Sequence, residues 1–212
     1  MKLENWGLIH YDLATSRQLE AVEAVAEGAE ERLIICTHPP VVTLGRGTPP
    51  EDIGDWRGET IETSRGGRAT YHGPSQMVIY PIVDLRKARP MIPAKDVHAY
   101  LRAVEQATVL GLRALGLDQA EARTTKIGDM SLTGVWVGDK KIASIGVAVK
   151  KWISHHGVAL NVLRDEKAFK GIKPCGFSPD VMTTVEEQLD KILEPRVYHW
   201  IFAKSFLAML EP

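Results

Sequence analysis

Cys175 lies in Gly171-Ile-Lys-Pro-Cys-Gly-Phe177, between a proline and a glycine and two residues after Lys173. Pro-Cys-Gly reads as a tight, accessible turn, and nearby positive charge lowers a thiol's pKa, which makes this cysteine the candidate nucleophile. A turn cysteine without a role has the same local pattern. Cys36, in Leu33-Ile-Ile-Cys-Thr37, alternates with apolar neighbours and reads as a small core residue. A nucleophilic thiol needs a base or a charge partner. His72, His155, His156 and Lys141 are available. In Asp139-Lys-Lys-Ile-Ala-Ser-Ile-Gly146 a strand sends Lys140 and Lys141 to opposite faces, so one of them can turn inward. There it can stabilise a thiolate and, when neutral, move a proton. The alternative is two solvated lysines at a hairpin exit, and no spacing rule ties position 141 to 175. Adjacent His155 and His156 also point apart on a strand, so at most one shares a site with Cys175 or Lys141. Zinc held by His72, a strand histidine and Cys175 lacks the C-x-x-C or H-x-x-x-H spacing of such sites.

The second chemical feature is Arg65-Gly-Gly-Arg-Ala-Thr-Tyr-His-Gly-Pro-Ser-Gln-Met-Val-Ile-Tyr80. Paired glycines let backbone N–H groups approach a ligand, and flanking arginines attract a polar or anionic one. The stretch reads as a binding wall for something with an apolar body and a polar end. No G-x-x-x-x-G-K-[ST] and no helix-opening G-x-G-x-x-G is present, which disfavours nucleotide chemistry. Arg65, Arg68, Lys140, Lys141, Lys150, Lys151, Lys170 and Lys173 lie in or near these segments. If they converge they form a basic face suited to an acidic macromolecular partner; otherwise they are solvated charges.

The elements that must position these groups follow from periodicity. Trp6–His10 reads as a short strand, and Leu13 to Ala29 carries apolar residues at helical spacing. Arg32–Thr37 and Val41–Leu44 read as strands broken by Pro39-Pro40. Thr48–Thr60, with two prolines and two glycines, is a surface loop or lid candidate. Ile61–Ser64, Ala69–Tyr71 and Gln76–Val83 are strand-like around glycine turns. Asp96–Leu115 is the longest helix, stopped by Gly116. Gly134–Val137, Lys141–Val149 and Gly157–Val162 are three further strands. Thr183 or Thr184 with Glu186 or Glu187 forms a capping box for a helix from Val185. Pro195 is expected to interrupt that helix, with a last one over Tyr198–Leu210. Runs of strands broken by few helices indicate an α+β fold on a mixed or antiparallel sheet, and 212 residues suit one domain, 1–212. A hydrophobic content of 44% and a net charge of −1 give no case for bulk nucleic-acid or membrane binding. No apolar run reaches the roughly 18 residues of a membrane span, and Met1–Trp6 does not read as a signal peptide. Two distant cysteines then point to the reducing cytoplasm.

Arg65–His72 with Gln76 and Tyr80 resembles the signature of bacterial octanoyltransferases. The K-I-A-x-I-G strand at Lys141–Gly146, the H-G-x-A-L-N strand at His156–Asn161 and the P-C-G turn at Pro174–Gly176 follow in the family's order, and Gly45-Arg46-Gly47 also fits. The resemblance spans about residues 30–185. It implies transfer of an octanoyl chain from octanoyl-acyl carrier protein to a lysine of lipoyl domains. These domains belong to 2-oxoacid dehydrogenase complexes and the glycine cleavage H protein. It further implies a biotin/lipoate protein ligase-like α+β fold, mainly antiparallel with flanking helices, and no cofactor or metal. By the same resemblance the acyl-thioester cysteine is Cys175 and the lysine that lowers its pKa is Lys141. The substrate-lining residues are Arg65, Gly66, Gly67, Arg68, Ala69, Thr70, Tyr71 and His72, then Ser144, Ile145 and Gly146, then Gly157, Val158 and Ala159. Backbone N–H groups near Gly176 or in the glycine hairpin are the expected oxyanion donors. Ser75 departs from the Gly or His expected there. An ATP-dependent lipoate or biotin ligase, with a longer G-G-G loop and no need of the P-C-G cysteine, and a non-catalytic carrier-docking module are the rival readings.

Overall fold

The computed structural model describes residues 1–127, 130–192 and 194–211. A seven-stranded sheet runs β1 (Lys2–Leu8), β2 (Arg32–Thr37), β6 (Gln76–Ile82), β10 (Ile153–Asn161), β9 (Lys140–Lys150), β8 (Met130–Val137) and β7 (Ala120–Ile127). Only β1 and β2 are parallel; every other neighbour pair is antiparallel. A second, three-stranded sheet sets β3 (Val41–Leu44) between β4 (Glu59–Glu62) and β5 (Thr70–His72).

The apolar run of β2 is explained by burial on both faces. Leu33 and Ile35 pack with Met77 and Ile79 under helices α2 (Val97–Ala114) and α4 (Pro195–Leu210). Ile34 and Cys36 pack with Val78, Tyr80 and helix α1 (Tyr11–Ala26) on the other face. Asp96 caps α2 by accepting from Ala99 N–H at 2.8 Å. Gly111 lets α4 come close, since a Cβ there would lie 2.7 Å from the Phe202 ring.

Several expected bounds shift for physical reasons. Pro195 does not interrupt the helix from Val185, which ends at Leu189; it opens the last helix, because the first turn needs no amide from that position. Helix α3 (Val185–Leu189) carries the Thr184–Glu187 capping box and ends at Asp190, in the left-handed region. Strand β7 was not expected, its Glu-Ala-Arg-Thr-Thr-Lys composition being that of an edge strand with little apolar alternation. The Thr48–Thr60 segment is not free: Asp52 is fully buried, and Trp56 N–H donates to Gly171 O at 3.1 Å. Ser75 holds its own turn closed, its carbonyl accepting from Val162 and Leu163 and its hydroxyl donating to Asp165. No described helix is long and apolar enough to cross a membrane.

Candidate active site

Cys175 occupies a short 3-10 turn, Pro174–Gly176, with φ 54° and ψ 28°, and Gly176 follows at φ 79°. A non-glycine residue in the left-handed region is strained by about 1–2 kcal/mol, so the turn must be held from outside. Cys175 N–H donates to Ala69 O at 2.9 Å and Gly176 N–H to Lys173 O at 2.9 Å. The thiol is not accessible as expected: the residue is 6% exposed, and Sγ lies 3.6 Å from the Thr70 hydroxyl.

Lys141 is the inward lysine. It is 1% exposed, whereas Lys140 is exposed with Nζ donating to the Asp180 carbonyl at 2.6 Å. A bulge between β8 and β9 puts Trp136 opposite Lys141 and Val135 opposite Ala143, re-aiming the lysine. Gly134 makes room for its stem, since a Cβ there would lie 2.6 Å from Lys141 Cε. Its Nζ sits 5.4 Å from the centre of the Phe177 ring, two residues past the cysteine. Burial pushes the Cys175 thiol up, but Lys141, the Thr70 hydroxyl and the Arg65 charge outweigh it, leaving the pKa below the ordinary thiol value. Cys36, buried without a cation beside it, is pushed up and inert by contrast.

Cys175 lines a cavity of about 140 Å³ whose walls alternate. Arg65, Gly66, Gly67, Thr70 and His72 face it, as do Ser144, Ile145 and Gly146 on β9 and Gly157, Val158 and Ala159 on β10. The expected continuous wall from Arg65 to His72 is corrected at Arg68, Ala69 and Tyr71. On β5 Tyr71 alternates away from Thr70 and His72; ahead of the strand Ala69 joins Tyr71, Phe169 and Ile172 in the small core, and Arg68 pairs with Asp52. Gly146 and Gly157 are cross-strand partners, and at Gly146 the missing side chain lets Arg65 lean in, its Cδ lying 3.1 Å from where a Cβ would be.

Of the two readings left open for the basic residues, convergence on one face is not what these side chains do. Arg65 is buried, with Nη2 donating to Thr43 O (2.9 Å) and Oγ1 (2.7 Å) and Nη1 to Arg68 O (2.9 Å). Lys150 and Lys151 converge on Glu23 instead. The expected oxyanion donors at Gly176 are also corrected, because the amides of Cys175, Gly176 and Phe177 all donate within or beside the turn. Among the described residues no three of His, Cys, Asp or Glu gather as metal ligands.

Sequence reasoning missed Tyr11, which lines the cavity with Tyr80, His72 and His156, stacking on His72 at 5.4 Å and standing 3.4 Å from His156 Nδ1. His38 Nδ1 donates to Ile9 O at 2.7 Å and Nε2 accepts from the Tyr80 hydroxyl at 2.8 Å, which settles its tautomer. His155 and His156 were expected on opposite faces. His156 adopts φ 56°, which breaks the alternation, so the two rings stand 4.8 Å apart and both reach the Ser64 hydroxyl at 3.4 Å. Alternation along a regular strand is the only signal a sequence offers there, and it misleads.

These histidines make the fold acid-sensitive. Burial lowers His38 and His155 to about 4, His156 to about 3 and His72 well below the usual 6.5. Unfolded, each takes up its proton near pH 6.5, so their contribution is complete above that and is lost as pH falls toward 4. Each contributes up to about 1.4 kcal/mol per pH unit in that window. Carboxylates with lowered values, such as Asp84 and Glu4, respond only below about pH 4.5. Urea midpoints at pH 7 and pH 5 should therefore differ clearly; equal midpoints would contradict neutral burial of the four rings.

The sequence matches the lipoyl protein ligase A/B catalytic domain family over residues 10–207. It is 47% identical over 190 residues to an octanoyltransferase of Bdellovibrio bacteriovorus, covering 87% of each chain. It is 40% identical over 187 residues to an octanoyltransferase of Geobacter sp. strain M21, covering 88% of this chain and 86% of that one. Among solved structures, a putative lipoate protein ligase from Thermoplasma acidophilum superposes with a TM-score of 0.70 at 20% identity, over 99% of this chain and 84% of that one. The last likeness carries the fold alone, the lipoate ligase-like α+β architecture with its mainly antiparallel sheet. With the motifs, the fold and relatives this similar across nearly the whole chain, the protein belongs to the octanoyltransferases of the lipoyl protein ligase A/B catalytic domain family.

Proposed function

We propose that this protein moves an octanoyl group from octanoyl-acyl carrier protein to a lysine of a lipoyl domain, through a thioester on Cys175. The observation that carries the reading is a buried thiol held acidic by Lys141 at the wall of a cavity with paired glycines on β9 and β10. The Cys175 thiolate attacks the carrier thioester, and the pantetheine thiolate leaves with the proton of the Lys141 ammonium. The neutral Lys141 then takes a proton from the acceptor ammonium, whose reference pKa is about 10.4. The acceptor amine attacks octanoyl-Cys175, the C–S bond breaks, and the remaining amine proton goes to water as the amide forms. Cys175 thiolate and Lys141 ammonium are thereby restored.

Burial of the eight-carbon chain contributes about 0.8 kcal/mol per methylene. The committed amides of the Cys175 turn, and Gly66 N–H donating to Val147 O at 3.5 Å, leave Gly67 N–H and the Thr70 hydroxyl as the candidate oxyanion donors. Because the acyl group arrives activated, no step calls for a nucleotide or a metal. In this reading residues 1–212 form one catalytic domain working in the cytoplasm, and the lipoyl domains of 2-oxoacid dehydrogenase complexes and the glycine cleavage H protein are its acceptors.

The test is purified protein with octanoyl-acyl carrier protein and a lipoyl domain, without ATP. The lipoyl domain should gain one octanoyl group on its lysine. Transfer that requires free octanoate and ATP would make the protein a ligase and sink the proposal.

A further inference from the structure

Asp52 sits on a 3-10 turn (Pro50–Asp52) inside the Thr48–Thr60 segment and takes no part in the transfer chemistry above. Its carboxylate is 0% exposed and is gripped by the Arg68 fork: Oδ2 accepts from Nε at 2.7 Å and Oδ1 from Nη2 at 2.5 Å. The remaining guanidinium nitrogen, Nη1, packs under Gly176, where a Cβ would lie 2.6 Å from it. Only glycine at 176 admits that approach. The backbone repeats the tie, since Lys173 N–H donates to Asp52 O at 2.8 Å and Cys175 N–H donates to Ala69 O, one residue after Arg68. One loop residue and one hairpin residue therefore hold both ends of the strained cysteine turn.

We propose that Asp52 is a positioning residue: through its buried ion pair it fixes the Arg68 guanidinium against the Cys175–Gly176 turn and cancels a positive charge that would otherwise compete with Lys141 for the thiolate. A buried pair of this kind adds little net stability over well-packed apolar side chains, so its presence beside the nucleophile calls for a reason other than packing. The groups facing Cys175 are Lys141 from β9, Arg65 and Arg68 from the hairpin, and the Thr70 hydroxyl from β5. Asp52 and Glu51 stand behind Arg68. Asp52 is first among the groups that hold the Arg68 proton, and the Cys175 charge adds to it, so the two sites sense each other. An unpaired guanidinium there would draw the thiolate away from Lys141; an unpaired carboxylate would repel it.

The inference rests on Cys175 being the nucleophile, but its deciding readout, the alkylation midpoint, is independent of octanoyl transfer. Asp52→Asn, Arg68→Gln and the double variant are compared by the pH dependence of iodoacetamide alkylation at Cys175, read by peptide mapping. Asp52→Asn should move the midpoint down and Arg68→Gln up, each by roughly 0.5–1 pH unit, with the double variant returning close to the unmodified protein. Arg68→Lys keeps the charge without the fork, so it should hold the midpoint while slowing octanoyl-adduct formation about tenfold or more. If Asp52→Asn alone fails to fold, Arg68→Gln against the double variant reads the Asp52 charge, and the midpoint should fall when Asp52 is neutralised in that background. Midpoints that stay put, or shift the same way in both single variants, overturn the proposal and leave the pair a structural tie. A wild-type protein that alkylates normally but never forms an octanoyl adduct would instead refute the nucleophile assignment.

Discussion

Cys175→Ala should abolish the octanoyl adduct seen by intact mass and lower transfer to a lipoyl domain by about 10³-fold or more. Without the thiol the acceptor amine must attack the carrier thioester directly, with both macromolecules docked at once. Only proximity and the cavity's hold on the chain remain to help. The variant should stay folded, since the side chain removed is small and the turn is fixed by backbone hydrogen bonds of Cys175 and Gly176 rather than by the sulfur. Thr70 loses only a weak partner at 3.6 Å. Transfer within tenfold of the unmodified protein would remove the covalent intermediate from the mechanism.

Lys141→Met should leave the fold intact and still cost about 10²-fold in acylation at neutral pH. Methionine fills the volume left beside Gly134 and Phe177. Removing one partner of a buried pair is destabilising when it strands a charge, but the Cys175 thiolate can take up a proton and become a neutral thiol, so the melting temperature should hold or rise. Activity and stability thus move in opposite directions, which separates this role from a structural one. Burial is the largest influence on Cys175 and acts upward; Lys141 is the first of those opposing it. With it gone the alkylation midpoint should move up, and raising the pH should recover part of the acylation rate. The second step should recover less, because the base for the acceptor ammonium is also missing. An alkylation profile unchanged from the unmodified protein would contradict the assignment.

What the chain reveals before folding is uneven, and the unevenness has physical causes. Strand alternation allowed either Lys140 or Lys141 to turn inward, and only the family's motif singled out Lys141, whereas Cys175 was legible as a candidate from the Pro-Cys-Gly turn, a local pattern. The helix over Val97–Ala114 and the Thr184–Glu187 cap were legible for the same reason. The motif order identified the family. Alternation failed where the backbone leaves the regular strand: at His156 with its positive φ, and at the bulge that steers Lys141.

The sequence by itself determined the motifs, and through them the family and the candidates Cys175, Lys141 and the glycine-bearing wall segments, because each motif is a contiguous run of a few residues. Only the tertiary structure decided that the thiol is buried and that Arg68 turns away to Asp52. It alone showed that Arg65 spends its charge on Thr43 and Arg68 carbonyls, and that four neutral histidines gather behind the cavity. Those facts depend on contacts between segments tens to more than a hundred residues apart. Burial and charge compensation arise there from what the fold brings together, and no local pattern carries them.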